Sequence, residues 1–164
     1  MPLIDPGKKA PAFALNDQDG TKHALKDYAG RAVVLFFYPK DLTSGCTEEA
    51  CGFRDALPKF EKIDAQVFGI SILGVKSKKK FAEKEGLNYP LLADDRLNDE
   101  GKPDPLVSQK YGVWVEKSMY GRRYMGIART TYLIGPDGLV VERWDKVKTK
   151  DHAAEVLTAV KSLG

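Results

Sequence analysis

Sulfur and imidazole are scarce in this chain. Its 164 residues include two cysteines, three methionines and two histidines, so the fold must rest on a core rather than on disulfide staples. Both thiols, Cys46 and Cys51, stand five positions apart in FFYPKDLTSGCTEEACGFRD, residues 36–55. That spacing is too wide for the C-x-x-C of a dithiol centre or a zinc knuckle, and neither histidine is near enough to complete a metal-ligand pattern. Long apolar runs are missing as well. No stretch approaches the ~20 residues of a membrane span, and the start, MPLIDPGKKAPAFAL, lacks the apolar core of a secretory signal. A cytoplasmic protein without membrane contact is expected, and a permanent disulfide is unusual there. An excess of charge is also absent: 26 basic and 23 acidic residues leave +3, scattered along the chain, so nucleic acid is not expected as a partner. The one local run, Lys78 to Lys80, reads as a solvated helix face.

What is present suits one soluble globular domain over residues 1–164, 43% hydrophobic and 30% charged. Residues 11–25 carry apolar stretches around NDQDG, a hairpin signal. AVVLFFY, 32–38, reads as a central strand covered on both faces. A helix follows from about Gly45, with Ala50, Phe53, Leu57 and Phe60 on one stripe, and Pro58 should kink or restart it. QVFGISIL, 66–73, reads as a second buried strand. KSKKKFAEKEG, 76–86, reads as a polar helix closed by Gly86. NYPLLAD is a short extended piece, and 94–105 a long polar loop, mobile by composition. LVSQKYG is a short helix, VWV opens a strand, and IARTTYLI and LVVERWD flank a turn at 135–138. The last helix starts near Asp151, an N-cap candidate, and turns Ala153, Val156, Leu157, Val160 and Leu163 inward. This order predicts an α/β fold of the thioredoxin-like kind: a central mixed sheet, helices on both faces and an N-terminal β-hairpin extension.

In that frame Cys46 occupies the first turn of a helix at the carboxyl end of a strand, where ligand sites of open α/β sheets collect. The unpaired N–H groups and dipole of a helix N-terminus favour an anion. A thiolate, the reactive form of cysteine, is such an anion. On an ideal helix the two thiols are about 140° apart around the axis, with Cα atoms about 8–9 Å apart. That exceeds the ~7 Å limit for a disulfide, so the pair can bond only if the helix unwinds. Cys51 alone reads equally as a small buried hydrophobe, Thr43 as a capping hydroxyl and Pro39 as a strand terminator. Trp114 and Trp144 read as packing residues, and Met119, Tyr120, Tyr124 and Met125 as an apolar hairpin near the active-site face.

Pro39, Thr43 and Cys46 together match the Pro-x-x-x-Thr-x-x-Cys signature of the peroxiredoxins, and CTEEAC, 46–51, resembles their bacterioferritin-comigratory (Q-type) subgroup. The resemblance extends through GKKAPAF, FRD, KKFAEK, YGVWVEKSMYGRRYMGIARTTYLI and WDKVKTKDHA. It implies a thiol-dependent peroxidase for hydrogen peroxide and small organic hydroperoxides, needing no metal, haem or flavin. Under it Cys46 is the peroxidatic cysteine, and Cys51 the resolving cysteine that forms a disulfide later opened by thioredoxin or a similar thiol reductant. Thr43 is expected to hydrogen-bond the thiolate and the peroxide, Pro39 to shield the pocket, Arg129 to hold the thiolate and polarise the peroxide, and Glu49 to orient Arg129. An intramolecular resolving cysteine makes a monomer sufficient. A general thiol-disulfide oxidoreductase and a non-enzymatic redox sensor are the alternatives. Three places depart from the subgroup's pattern: Ser44 in place of proline, Ser71-Ile72-Leu73-Gly74 in place of Ser-x-Asp-Ser, and a longer 94–105 loop.

Overall fold

A computed structural model describes residues 2–163. β1 (Ala14–Asn16) and β2 (Lys22–Ala24) form the first hairpin. Its loop is tied by Asp17, whose Oδ1 accepts the backbone N–H groups of Asp19 and Thr21. Then come β3 (Ala32–Phe37), α1 (Ser44–Lys62), β4 (Ala65–Ser71), α2 (Val75–Glu85), β5 (Leu91–Ala93) and α3 (Leu106–Lys110). The second half adds β6 (Trp114–Met119), β7 (Arg122–Ile127), β8 (Thr130–Ile134), β9 (Val140–Trp144) and α4 (His152–Lys161). Seven strands make one sheet in the order β2-β1-β5-β4-β3-β8-β9, while β6 and β7 pair apart from it. β3, β4 and β5 are parallel, and their neighbours on either side are antiparallel.

Strand β3 shows why its sequence is apolar at every position. Alternate side chains leave opposite faces of a strand, and both faces here are covered. Val34, Phe36 and Tyr38 join Phe53, Leu57 and Phe60 of α1 and Val156 and Val160 of α4 in one core. Val33, Leu35 and Phe37 join Phe68, Ile70, Val107, Tyr111 and Tyr132 in the other. Trp144 packs against the first core and Trp114 against the second, in keeping with packing roles.

Several expectations are corrected in detail. Pro58 does not restart the helix but lies inside the continuous α1. A proline at 58 leaves the carbonyl of Arg54 without its helical donor, and Asn88 Nδ2 turns to that oxygen at 3.4 Å. The 94–105 loop is bonded across itself, with a Leu97–Pro103 bridge and an Arg96–Asp104 ion pair at 2.9 Å. Asp151 stands at the N-cap of α4 without a capping side-chain bond, its backbone in the left-handed region. Leu163 is exposed because it lies past the last turn of α4. Gly86 closes α2 at φ 61° as expected, and α2 starts at Gly74 with no side-chain cap. Among the described residues no helix is long and apolar enough to cross a membrane.

Candidate active site

Parallel pairing of β3 with β4 requires a crossover, and α1 makes it, starting where β3 ends. Cys46 therefore lies in the first turn of α1 with Thr43 at the N-cap position. Its side chain is buried, and Arg129 Nη2 donates to Sγ at 3.2 Å. The other arm of the same guanidinium, Nη1, donates to Glu49 Oε1 at 2.7 Å. Glu49 follows Cys46 by three positions, so the helix presents both to one side. Arg129 arrives from the segment between β7 and β8, its backbone carbonyl accepting the N–H of Val147 at 3.1 Å. Thiol, guanidinium and carboxylate are thus brought together across 83 residues of chain.

The electrostatics of the trio are unequal. Glu49 is 1% exposed, and its second oxygen has no partner. Burial pushes its pKa up to about 7, the single bidentate-capable neighbour Arg129 offsetting only part of that cost. Arg129 keeps its proton more firmly than usual: burial works against the charge, and Glu49 and Cys46 outweigh it. Lys117, across the pocket, has its pKa lowered by burial first and by Arg129 second.

A cavity of about 1150 Å³ opens over Cys46 and Arg129. Pro39 and Thr43 form one rim, and the β6–β7 hairpin the facing wall, with Met119, Tyr120, Tyr124 and Met125 partly or largely exposed on it. The apolar hairpin expected near this face is there. Thr43 departs from expectation in one respect. Its hydroxyl, exposed at the rim, donates to the carbonyl of Lys40 at 3.0 Å and not to the Cys46 sulfur.

Cys51 stands on the same unbroken helix, half-buried, and both cysteines are free thiols. Its Sγ points to Glu85 Oε2 at 3.6 Å, and burial, helped by Glu85, raises the pKa of the thiol. Between the two cysteines, the carbonyl of Ala50 accepts the hydroxyl of the buried Tyr89 at 2.7 Å. Among the described residues no group of three or more His, Cys, Asp or Glu side chains gathers in a metal-binding arrangement.

One expectation fails outright. Lys79 and Lys80 are exposed, but Lys78 is completely buried. Its ammonium sits with Asp41, Tyr38 and Ser71 below the loop that carries Pro39 and Thr43. Burial lowers its pKa to about 8 despite Asp41. The signal was periodicity: Lys78 falls on the stripe of Phe81 and Ala82, both buried, and its charge argued the opposite.

Comparison with known proteins agrees with the geometry. Residues 6–143 match the AhpC/TSA family. The chain is 41% identical over 160 residues to Peroxiredoxin Bcp of Bacillus subtilis, covering 98% of this chain and 97% of that one. It is 42% identical over 161 residues to Peroxiredoxin Bcp of Escherichia coli K12, covering 98% of each. Among solved structures, a cysteine-to-serine PrxQ from Xylella fastidiosa superposes with a TM-score of 0.88 at 36% identity, over 99% of this chain and 98% of the other. The bacterioferritin comigratory protein of Xanthomonas campestris, studied for alkyl peroxide reduction, gives 0.84 at 39% identity over 96% and 98%. The mixed sheet flanked by helices is accordingly the thioredoxin-like fold of these structures, and the chain belongs to the AhpC/TSA family, among its bacterioferritin-comigratory, Q-type peroxiredoxins.

Proposed function

We propose that this protein is a thiol-dependent peroxidase acting on hydrogen peroxide and small organic hydroperoxides, with Cys46 as the peroxidatic thiol. The observation that carries the reading is the single guanidinium of Arg129, anchored by Glu49 and donating to a sulfur in the first turn of α1. Helix N–H groups and guanidinium together stabilise negative charge on that sulfur. The thiolate attacks the terminal oxygen of the peroxide, the O–O bond breaks, and the remaining oxygen leaves as water or an alcohol after taking a proton. Arg129 is placed to donate to the oxygen on which charge develops. Pro39 and Thr43 at the rim shape the approach, with the Thr43 oxygen free to accept from a peroxide hydroxyl.

The product, a Cys46 sulfenic acid, is resolved by Cys51. Its sulfur attacks Sγ of Cys46 and displaces the hydroxyl as water, and a dithiol reductant of the thioredoxin type then returns both thiols. The atoms balance without a metal or an organic cofactor. The reading of the chain as one domain is supported by the one sheet that both cores share; both cysteines belong to one chain, so a monomer completes the cycle. A cytoplasmic setting suits a cycle closed by thiols.

Peroxide consumption with thioredoxin, its reductase and NADPH tests the reading. Cys46→Ser is expected to abolish turnover, and Cys51→Ser to allow one reduction and then stall with thioredoxin. Full activity in Cys46→Ser overturns it. Rapid disulfide exchange without peroxide reduction identifies a general oxidoreductase instead.

A further inference from the structure

Asp41 is the middle residue of the loop 39–43, and its carboxylate is bound from several sides. Tyr38 donates its hydroxyl to Oδ1 at 2.5 Å, and Ser77 donates to Oδ2 at 2.8 Å. The Lys78 ammonium lies 3.5 and 3.4 Å from the two oxygens. Lys78 Nζ also donates to Ser71 Oγ at 2.5 Å and sits 5.3 Å from the centre of the Tyr38 ring. Neither charged side chain has any exposure to solvent. The partners come from the end of β3, the end of β4 and the first turns of α2, whereas Asp41 alone belongs to the loop. The network therefore ties the loop to three packed elements.

What the loop needs from this is visible at the next residue. Leu42 adopts φ 66°, a left-handed conformation that a branched residue keeps only where its surroundings over-determine it. Its own side chain is exposed and supplies no such restraint. Thr43 follows at the N-cap, and its carbonyl accepts the N–H of Thr47 at 2.8 Å in the turn that holds Cys46. A buried ion pair adds little net stability over apolar packing of the same shape, so stability alone does not account for this one. It supplies geometry.

Resting on the peroxidase reading above, we propose that Asp41 and Lys78 are positioning residues, which hold the loop 39–43 in the conformation that aligns an incoming peroxide with the Cys46 sulfur. Neither touches the reacting atoms; both act through the loop that lines the pocket over Cys46.

The test uses the full chain carrying Cys51→Ser, so that a single oxidation is followed. Asp41→Asn, Lys78→Met and the two combined are compared with that parent. Two rate constants are measured for Cys46, one with hydrogen peroxide and one with iodoacetamide, which alkylates a reachable thiolate without needing an aligned O–O bond. The peroxide rate is expected to fall about tenfold or more in all three variants while alkylation stays within about threefold. The combined variant leaves no lone buried charge, so it remains informative where a single variant misfolds. A combined variant with the parent's peroxide rate overturns the proposal. So does a rise in alkylation parallel to the loss of peroxide reactivity, because that is the sign of a loosened structure exposing the buried sulfur. If the parent itself reduces no peroxide while iodoacetamide still labels Cys46, the peroxidase reading has failed, and the positioning proposal falls with it.

Discussion

At the scale of single residues, the proposed chemistry rests on one side chain serving two partners. A planar guanidinium can donate to the Cys46 sulfur and to Glu49 at once, and a lysine ammonium cannot match that fork. Arg129→Lys is therefore expected to slow the reaction of Cys46 with peroxide about 10²–10³-fold, the usual effect of removing a donor aimed at developing charge. Stopped-flow rates within a few-fold of wild type would contradict the role. Glu49 makes a separate prediction through pH. Its carboxyl holds a proton up to about pH 7 in the folded state against an ordinary value of 4.5. Between those values the folded protein binds more protons than the unfolded chain, so this group makes stability fall as pH rises. Glu49→Gln lacks the titration and should show a shallower fall in urea midpoint across that window; parallel curves for the two proteins exclude the effect. Cys46 was readable in the sequence because a motif and a dipole argument converge on it; Thr43 followed from the motif, and Arg129 from the family resemblance alone. Lys78 was not, because nothing local reveals that Asp41, Tyr38 and Ser71 gather to receive its charge.

At the scale of elements, α1 carries a flaw and the sheet a tight spot. Pro58 denies the Arg54 carbonyl its helical bond, and Asn88 compensates from the chain after α2. Pro58→Ala restores the bond, and even with the looser unfolded chain a gain of about 1–2 kcal/mol is expected. A raised melting temperature confirms it; a lowered one shows that Pro58 is needed for packing. On β4, a Cβ at Gly69 meets the Phe36 ring at 2.8 Å and Leu91 Cδ2 at 3.0 Å. Phe36 in turn stacks on Phe53 of α1 with ring centroids 4.7 Å apart. Gly69→Ala must push that stack and is expected to cost about 1–3 kcal/mol, measurable in thermal melts. The helix carrying Cys46 thus leans on the sheet through an aromatic pair whose room a glycine provides. The strands and helices were largely legible from periodicity, whereas the continuation of α1 through Pro58 was not, since Leu57 and Phe60 on either side of it are held in the core.

At the scale of the whole molecule, the proposed cycle needs a helix that is stable enough to bury Cys46 yet able to open. Residues 46–51 are held by the Glu49–Arg129 pair and by Tyr89, whose hydroxyl reaches the carbonyl of Ala50. Burial also raises the pKa of the Cys51 thiol while the helix is wound. Tyr89→Phe deletes a bond worth about 1 kcal/mol and is expected to speed the step from sulfenic acid to disulfide severalfold, without changing the first reaction with peroxide. Quench-flow separation of the two steps checks this, and an unchanged second step excludes Tyr89 as a brake. The fold class, the candidate thiol and the argument for unwinding came from sequence alone, because strand and helix periods, a helix N-terminus and a five-residue spacing are local properties of the chain. Tertiary structure decided the rest. That Arg129 meets the sulfur, that burial raises the Glu49 carboxyl above its ordinary value and that Lys78 lies buried against Asp41 all depend on residues far apart in the chain sharing a space without water. Only there do desolvation and pairing outweigh the habits of each residue on its own.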